Sequence, residues 1–185
     1  ERLTFAKSRT LYLSQSGNAS NFNRRVGAEF TPDGALVLPI SSDRVDQIRW
    51  MTPLKKALAV GTAGGEIAIV EATEAQVFSA SNAAALPQTD YGARKLPALR
   101  VGNVALFLQR AGRKLREYRY SIEEDQFVAP DLTILAEHIS QSGIVDYCYQ
   151  QEPNSIVWCA RADGALIGLT YNRERGVVGW HRHPI

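Results

Sequence analysis

The sequence predicts an all-β fold, a propeller-like array of four-stranded antiparallel meanders, with a β-sandwich as the alternative. Three observations predict it. Toward the C-terminal end, four apolar runs are separated by turn chemistry at hairpin spacing. Small polar turns built on Gly17, Gly64, Gly112 and Gly164 recur at separations of roughly 47, 48 and 52 residues, a period that marks stacked or radial repeats. Finally, Ile156-Val157-Trp158-Cys159-Ala160 and Ala105-Leu106-Phe107-Leu108 are nearly continuous in apolar character, as strands covered on both faces are. A sandwich would not require the periodic turn.

The last meander is the clearest. Residues 144–150 form its first strand, and Glu152-Pro153-Asn154-Ser155 is a turn with proline preset at its second position. Residues 156–161 follow, then Ala162-Asp163-Gly164-Ala165, whose Asp-Gly pair favours a type I′ turn. Residues 166–171, a turn at Arg173-Glu174-Arg175-Gly176, and residues 177–183 complete it. Around Gly64 the expected strands are residues 45–50, 56–61, 66–71 and 76–80; around Gly112 they are 104–110, 114–120 and 126–129. The Gly17 unit shows 3–7, 10–14 and 21–26. The repeats are thus approximately residues 1–40, 41–96, 97–143 and 144–185 of one β domain. One helix is expected after Asp131 as N-cap, with Leu132, Leu135, Ala136 and Ile139 on one face. Residues 79–96, rich in Ala, Ser, Asn and Pro, read as a long surface loop.

Composition excludes several function classes. A hydrophobic share of 45% with 22% charged residues is that of an ordered globular chain. The net charge of +2, from 21 basic and 19 acidic side chains, is too balanced to announce a polyanion partner. No apolar run approaches the roughly 18 residues of a membrane-spanning helix, and no membrane role is expected. Two cysteines make no disulfide framework, so a reducing compartment is the default. Because the chain starts at Glu1 and stops at Ile185 straight after a strand-like stretch, it is expected to be a fragment.

Candidate chemistry is sparse. His181 and His183, two apart in a strand, project from one face in a geometry that can bind a metal, but spacing fixes no acidic or thiol third ligand, and no metal site is expected; His138 is the remaining histidine. If the Pro153-Asn154 turn is two residues long, Cys148 opposes Cys159, Asp146 opposes Arg161 and Tyr149 opposes Trp158. Two buried thiols are expected there, because a bridge between directly opposed strand positions is strained. Ser142 and Ser155 lack a nucleophile-elbow setting, and Glu123-Glu124-Asp125 is a solvated loop cluster. Gly61-Thr62-Ala63-Gly64-Gly65 lacks the Gly-Lys-Ser/Thr ending of a phosphate loop and leads into a strand, so it is a hairpin turn. No catalytic residue and no cofactor is expected. The basic run Arg110, Arg113, Lys114, Arg116 and Arg119 alternates along a strand, with Lys114, Arg116 and Tyr118 on one face and Leu115, Glu117 and Arg119 on the other. It is expected to be a solvated or interfacial strand, with DNA contact only weak or non-specific.

The stretch from Asp131 to His183 resembles a family of phage tail and virion proteins. The resemblance rests on Asp131-Leu132-Thr133-Ile134-Leu135-Ala136-Glu137-His138-Ile139, Tyr149-Gln150-Gln151-Glu152-Pro153, Ile156-Val157-Trp158, Arg161-Ala162-Asp163-Gly164, Leu169-Thr170-Tyr171 and Gly179-Trp180-His181-Arg182-His183. Upstream, Leu13-Ser14-Gln15-Ser16-Gly17, Ile48-Arg49-Trp50, Val60-Gly61-Thr62, Gly64-Gly65-Glu66 and Val101-Gly102-Asn103 share it. It implies a tail-tube or tail-hub component with propeller-like domains, oligomeric in the particle, contacting other tail or connector proteins, and made in the bacterial cytoplasm. It also implies a chain that continues past His183. It carries no catalytic motif. The alternative is a receptor- or glycan-binding module, since propeller and sandwich loops serve as binding surfaces and an aromatic such as Tyr91 can stack on a sugar.

Overall fold

The computed structural model describes residues 1–25, 31–41, 44, 47–73, 78–79 and 81–183, and the chain divides into two compact units, Glu1–Gly92 and Ala93–Ile185. Every strand pair is antiparallel, and among the described residues there is no helix.

In the first unit β1 (Thr4–Lys7), β2 (Thr10–Leu13) and β3 (Leu36–Pro39) form a three-stranded sheet. Four further strands, β4 (Ile48–Pro53), β5 (Leu58–Thr62), β6 (Glu66–Glu71) and β7 (Ala83–Thr89), form a meander. Period-two alternation sends Leu11, Leu13 and Leu36 from the small sheet against Val60, Ile67 and Ile69 of the meander, giving one buried cluster. The opposite face of the small sheet carries Phe5, Tyr12 and Val37 in one cross-strand row.

The second unit holds two meanders: β8 (Leu99–Val101), β9 (Val104–Leu108), β10 (Leu115–Ser121) and β11 (Gln126–Val128), then β12 (Ile144–Gln150), β13 (Ile156–Arg161), β14 (Leu166–Asn172) and β15 (Val177–His183). Val104, Leu106 and Leu108 from β9 meet Val157, Cys159, Ile167 and Leu169 in one core. Full burial of such aliphatic side chains contributes about 1.5–3 kcal/mol each. Between the two sheets the chain crosses in turns, and Trp180 Nε1 donates to Leu132 O at 2.8 Å, pinning that crossing to β15.

Gly64, Gly112 and Gly164 all lie between the second and third strands of their sheets. In the turns Gln109–Gly112, Arg161–Gly164 and Arg173–Gly176, the glycine amide donates back to the first residue's carbonyl, at 2.7, 3.1 and 3.1 Å. The three glycines take φ of 73, 85 and 65°, a left-handed conformation that other residues adopt at a cost. Only the glycine of Asp163-Gly164 has positive φ, so this is a type I turn closed by a left-handed residue, not the type I′ turn expected from the sequence.

Other expectations are corrected. The helix after Asp131 does not form: Leu132 N donates to Leu115 O and Asp131 bridges to Arg116, so the segment begins as an extension of the β10 sheet. It continues in turns closed by Ala136 N to Thr133 O and Ile139 N to Ala136 O, burying Leu132, Ala136 and Ile139 while Leu135 is 94% exposed. Residues 79–96 are not one loop, because β7 lies within them, an alanine-rich edge strand that tolerates Pro87 since it pairs on one side only. Of the strand expected at 76–80, Phe78 and Ser79 are not in a strand, and 76, 77 and 80 lie outside the described residues. Likewise residues 21–25 are not a strand and 26 lies outside them, as do 45 and 46; the third strand of the first sheet is β3 instead, while β8 completes the Gly112 meander.

A further correction concerns register. Five residues, 151–155, separate the Gln150↔Ile156 pair, so Tyr147 faces Cys159, Cys148 faces Trp158, Asp146 faces Ala160 and Tyr149 faces Val157. A slip of one residue moves side chains to the opposite face of a sheet. Cys159 is therefore buried in the core, whereas Cys148 is exposed on the outer face.

Candidate functional site

The outer face of the last sheet gathers the most chemistry. Pairing places Cys148, Trp158, Gly168 and His181 in one row across all four strands, and Leu166 beside His183 in the next. Gly168 has no side chain for a physical reason: a Cβ there would stand 2.2 Å from His181 Cε1. The His181 ring therefore lies over the backbone of β14. Its Nε2 is 3.2 Å from Thr170 Oγ1, and its Nδ1 is 2.7 Å from His183 Nε2. Trp158 meets both imidazoles edge to face, at centroid distances of 6.0 and 4.8 Å, while its Nε1 donates to Gln150 Oε1 at 2.8 Å. Burial and then the neighbouring His183 charge push His181 below the ordinary histidine pKa.

A second constellation joins β10 to β14 within the same unit. Glu117 is buried, and its Oε1 lies 3.2 Å from Arg119 Nε and 3.1 Å from Arg173 Nε. Burial first, and the Glu117 charge second, push the Tyr171 hydroxyl above its ordinary range. Two guanidiniums on one carboxylate compensate a charge that would be costly alone. Beside this cluster opens a cleft of about 900 Å³ lined in part by Arg100, Asn103, Tyr149, Gln151, Asn172 and Arg173.

No family model and no curated protein matches the chain.

The basic strand is committed internally. Lys114 Nζ pairs with Asp131 at 2.9 Å and with Glu137 at 3.0 Å, and Arg116 is buried, donating to Gln109 Oε1 at 2.9 Å and Ala129 O at 2.6 Å. Asp131 Oδ1 accepts from the Thr133 amide at 2.8 Å and from the Thr133 hydroxyl. Burial pushes the Asp131 carboxyl up, but the Thr133 hydroxyl and the Lys114 ammonium hold it below its ordinary value; Lys114 is correspondingly raised by its bonds to Asp131 and Glu137.

The glycine turn after β5 is self-contained. Thr62 Oγ1 accepts from the amides of Gly64 and Gly65 at 3.2 and 3.0 Å and donates to Gly65 O at 2.8 Å, so those amides cradle a hydroxyl. Ser142 Oγ accepts from Arg161 Nε at 2.8 Å, Ser155 Oγ lies 3.1 Å from the Tyr149 hydroxyl, and Glu123, Glu124, Asp125 and His138 are exposed. Sequence reasoning reached His181 and His183 but missed Gly168, Thr170, Trp158 and Arg173. Counting outward from the Arg173–Gly176 turn would have placed Gly168 opposite His181; Arg173 over Glu117, 56 residues away in sequence, has no local signal.

Proposed function

We propose that the chain is a structural component of a bacteriophage tail, its sheets forming blades of a propeller-like array that bind neighbouring tail or connector subunits in the virion. The observation that carries this reading is the outward row of the first sheet. Phe5 and Val37 are 53% and 44% exposed there, aligned with Tyr12, and Phe22 packs on Phe5 at 5.6 Å. Contiguous exposed apolar surface of this kind marks protein contacts. The internal commitment of Lys114, Arg116 and Arg119 supports packing over DNA reading, leaving weak, non-specific DNA contact. The test is incorporation into particles. Phe5→Asp with Val37→Asp, checked for an unchanged circular dichroism spectrum, is expected to be lost from purified virions; wild-type incorporation would overturn the reading.

A glycan-binding module is the second reading, favoured by the tyrosine- and amide-lined cleft beside Arg173. A glycan-array signal abolished by Asn103→Ala and Asn172→Ala would select it over the first.

A further inference from the structure

We propose that the outer face of the last sheet is a divalent transition-metal site, in which His181 Nδ1 and His183 Nε2 chelate one ion of the copper(II) or nickel(II) type. The two nitrogens already converge at 2.7 Å. Two imidazole nitrogens at right angles about an ion, each bonded at about 2.0 Å, stand about 2.8 Å apart, whereas a tetrahedral pair stands about 3.3 Å apart. The observed separation matches that of cis positions of a square-planar ion, and binding turns both lone pairs from each other toward the ion. Magnesium and calcium are excluded by donor type, since both take oxygen ligands.

The site is held by its surroundings. Gly168 provides the floor on which the His181 ring lies, and Trp158 abuts both rings. In the tautomer with the His181 proton on Nε2, Thr170 Oγ1, 3.2 Å away, accepts that proton and the lone pair lies on Nδ1, where the metal would bind. In the metal-free protein His183 then donates its Nε2 proton to that lone pair. Binding requires His183 to carry this proton on Nδ1 instead, a tautomeric shift that conserves charge. Among the described residues no three His, Cys, Asp or Glu side chains converge, so water fills the remaining positions.

The test is a titration of the full chain with CuCl₂, followed by calorimetry and tryptophan fluorescence. A Cys148→Ser background removes the exposed thiol as a competing ligand. One ion is expected to bind with quenching of Trp158, whose ring centroid is 4.8 Å from that of His183. Nickel should follow copper, with zinc weaker than copper. His181→Ala and His183→Ala should each lower affinity by more than tenfold, and Thr170→Val by about tenfold or more through loss of orientation. Trp158→Phe should abolish the quench while the heat of binding remains. Paramagnetic resonance should show a square-planar copper with two imidazole nitrogens. Unchanged affinity in both histidine variants, or a spectrum without two nitrogen couplings, overturns the proposal.

Discussion

In both β4–β7 and β12–β15 the first strand breaks register at its start, between Ile48 and Trp50 opposite Thr62 and Gly61, and between Ile144 and Asp146 opposite Arg161 and Ala160. The same backbone bond seals each bulge: Ala63 N donates to Gln47 O, and Ala162 N to Gly143 O, both at 2.9 Å. The bulge is thus shared by these two meanders, whereas β8–β9 and β9–β10 pair without a register shift. The two sheets differ in the ring laid over a glycine. Trp50 lies against Gly61 and is 5% exposed, whereas His181 lies over Gly168 and remains half-exposed. The strand frame is repeated while the outer face varies, and specific chemistry resides in that variation.

The frames themselves should be energetically alike. Ile67→Ala and Ile167→Ala each empty a fully buried position of their unit's core, and each is expected to cost about 2–5 kcal/mol. Denaturant midpoints measure this. A cost below about 1 kcal/mol at either position would break the equivalence.

The glycine floors should separate the sheets next. A Cβ at Gly61 would stand 2.2 Å from Trp50 Cε2, inside a buried ring that has nowhere to go, so Gly61→Ala should cost about 1–3 kcal/mol. At Gly168 the obstacle is an imidazole with room to swing outward, and Gly168→Ala should cost less while displacing His181 from Thr170. Thermal denaturation ranks the two, and equal costs would mean that ring exposure does not decide.

Legibility followed how local the determinants are. Strands β12, β13 and β15 were readable to the residue because short turns rich in Pro, Asp and Gly bracket apolar runs. The first sheet was not, because more than twenty residues separate Leu13 from Leu36, and side-chain amides organise that connection: Gln15 Nε2 donates to Asn23 O at 3.0 Å and Asn21 Nδ2 to Gln15 Oε1 at 2.9 Å. The helical periodicity after Asp131 misled because apolar residues at turn spacing serve a docked string of turns as well as a helix. Of the candidate sites, the histidine pair was visible in its i, i+2 spacing; its glycine floor and threonine partner required the register of a neighbouring strand.

The crossing from β11 to β12 adds a pH handle. The folded-state pKa of Asp131 is lowered, so its ionisation stabilises the protein above the unfolded pKa of about 4, and that contribution fades as pH falls through the folded value. Asp131→Asn should therefore be destabilising between pH 5 and 7 by a modest amount, as befits a pair whose lysine is 38% exposed, and the gap should close toward pH 2–3. A gap independent of pH would show that Thr133 geometry, not charge, is what Asp131 supplies.

One residue of register places the two thiols on opposite faces of the last sheet. Burial, and then the Cys148 charge, push the Cys159 thiol up to about 12, so little nucleophilic thiolate exists near neutral pH. Cys148 stands on the exposed face beside Trp158. Native protein should release one equivalent in a thiol-reagent assay and a second only on unfolding. Cys148→Ser should shift stability by less than about 0.5 kcal/mol, while Cys159→Ser, which inserts a hydroxyl into the core, should cost more than about 1 kcal/mol. Because the opposed partner of Cys159 is Tyr147, mild oxidation should yield no intramolecular disulfide. Formation of that bond in monomeric protein would mean that the β12–β13 pairing slips by one residue, and the outer row of Cys148, Trp158, Gly168 and His181 would be broken with it.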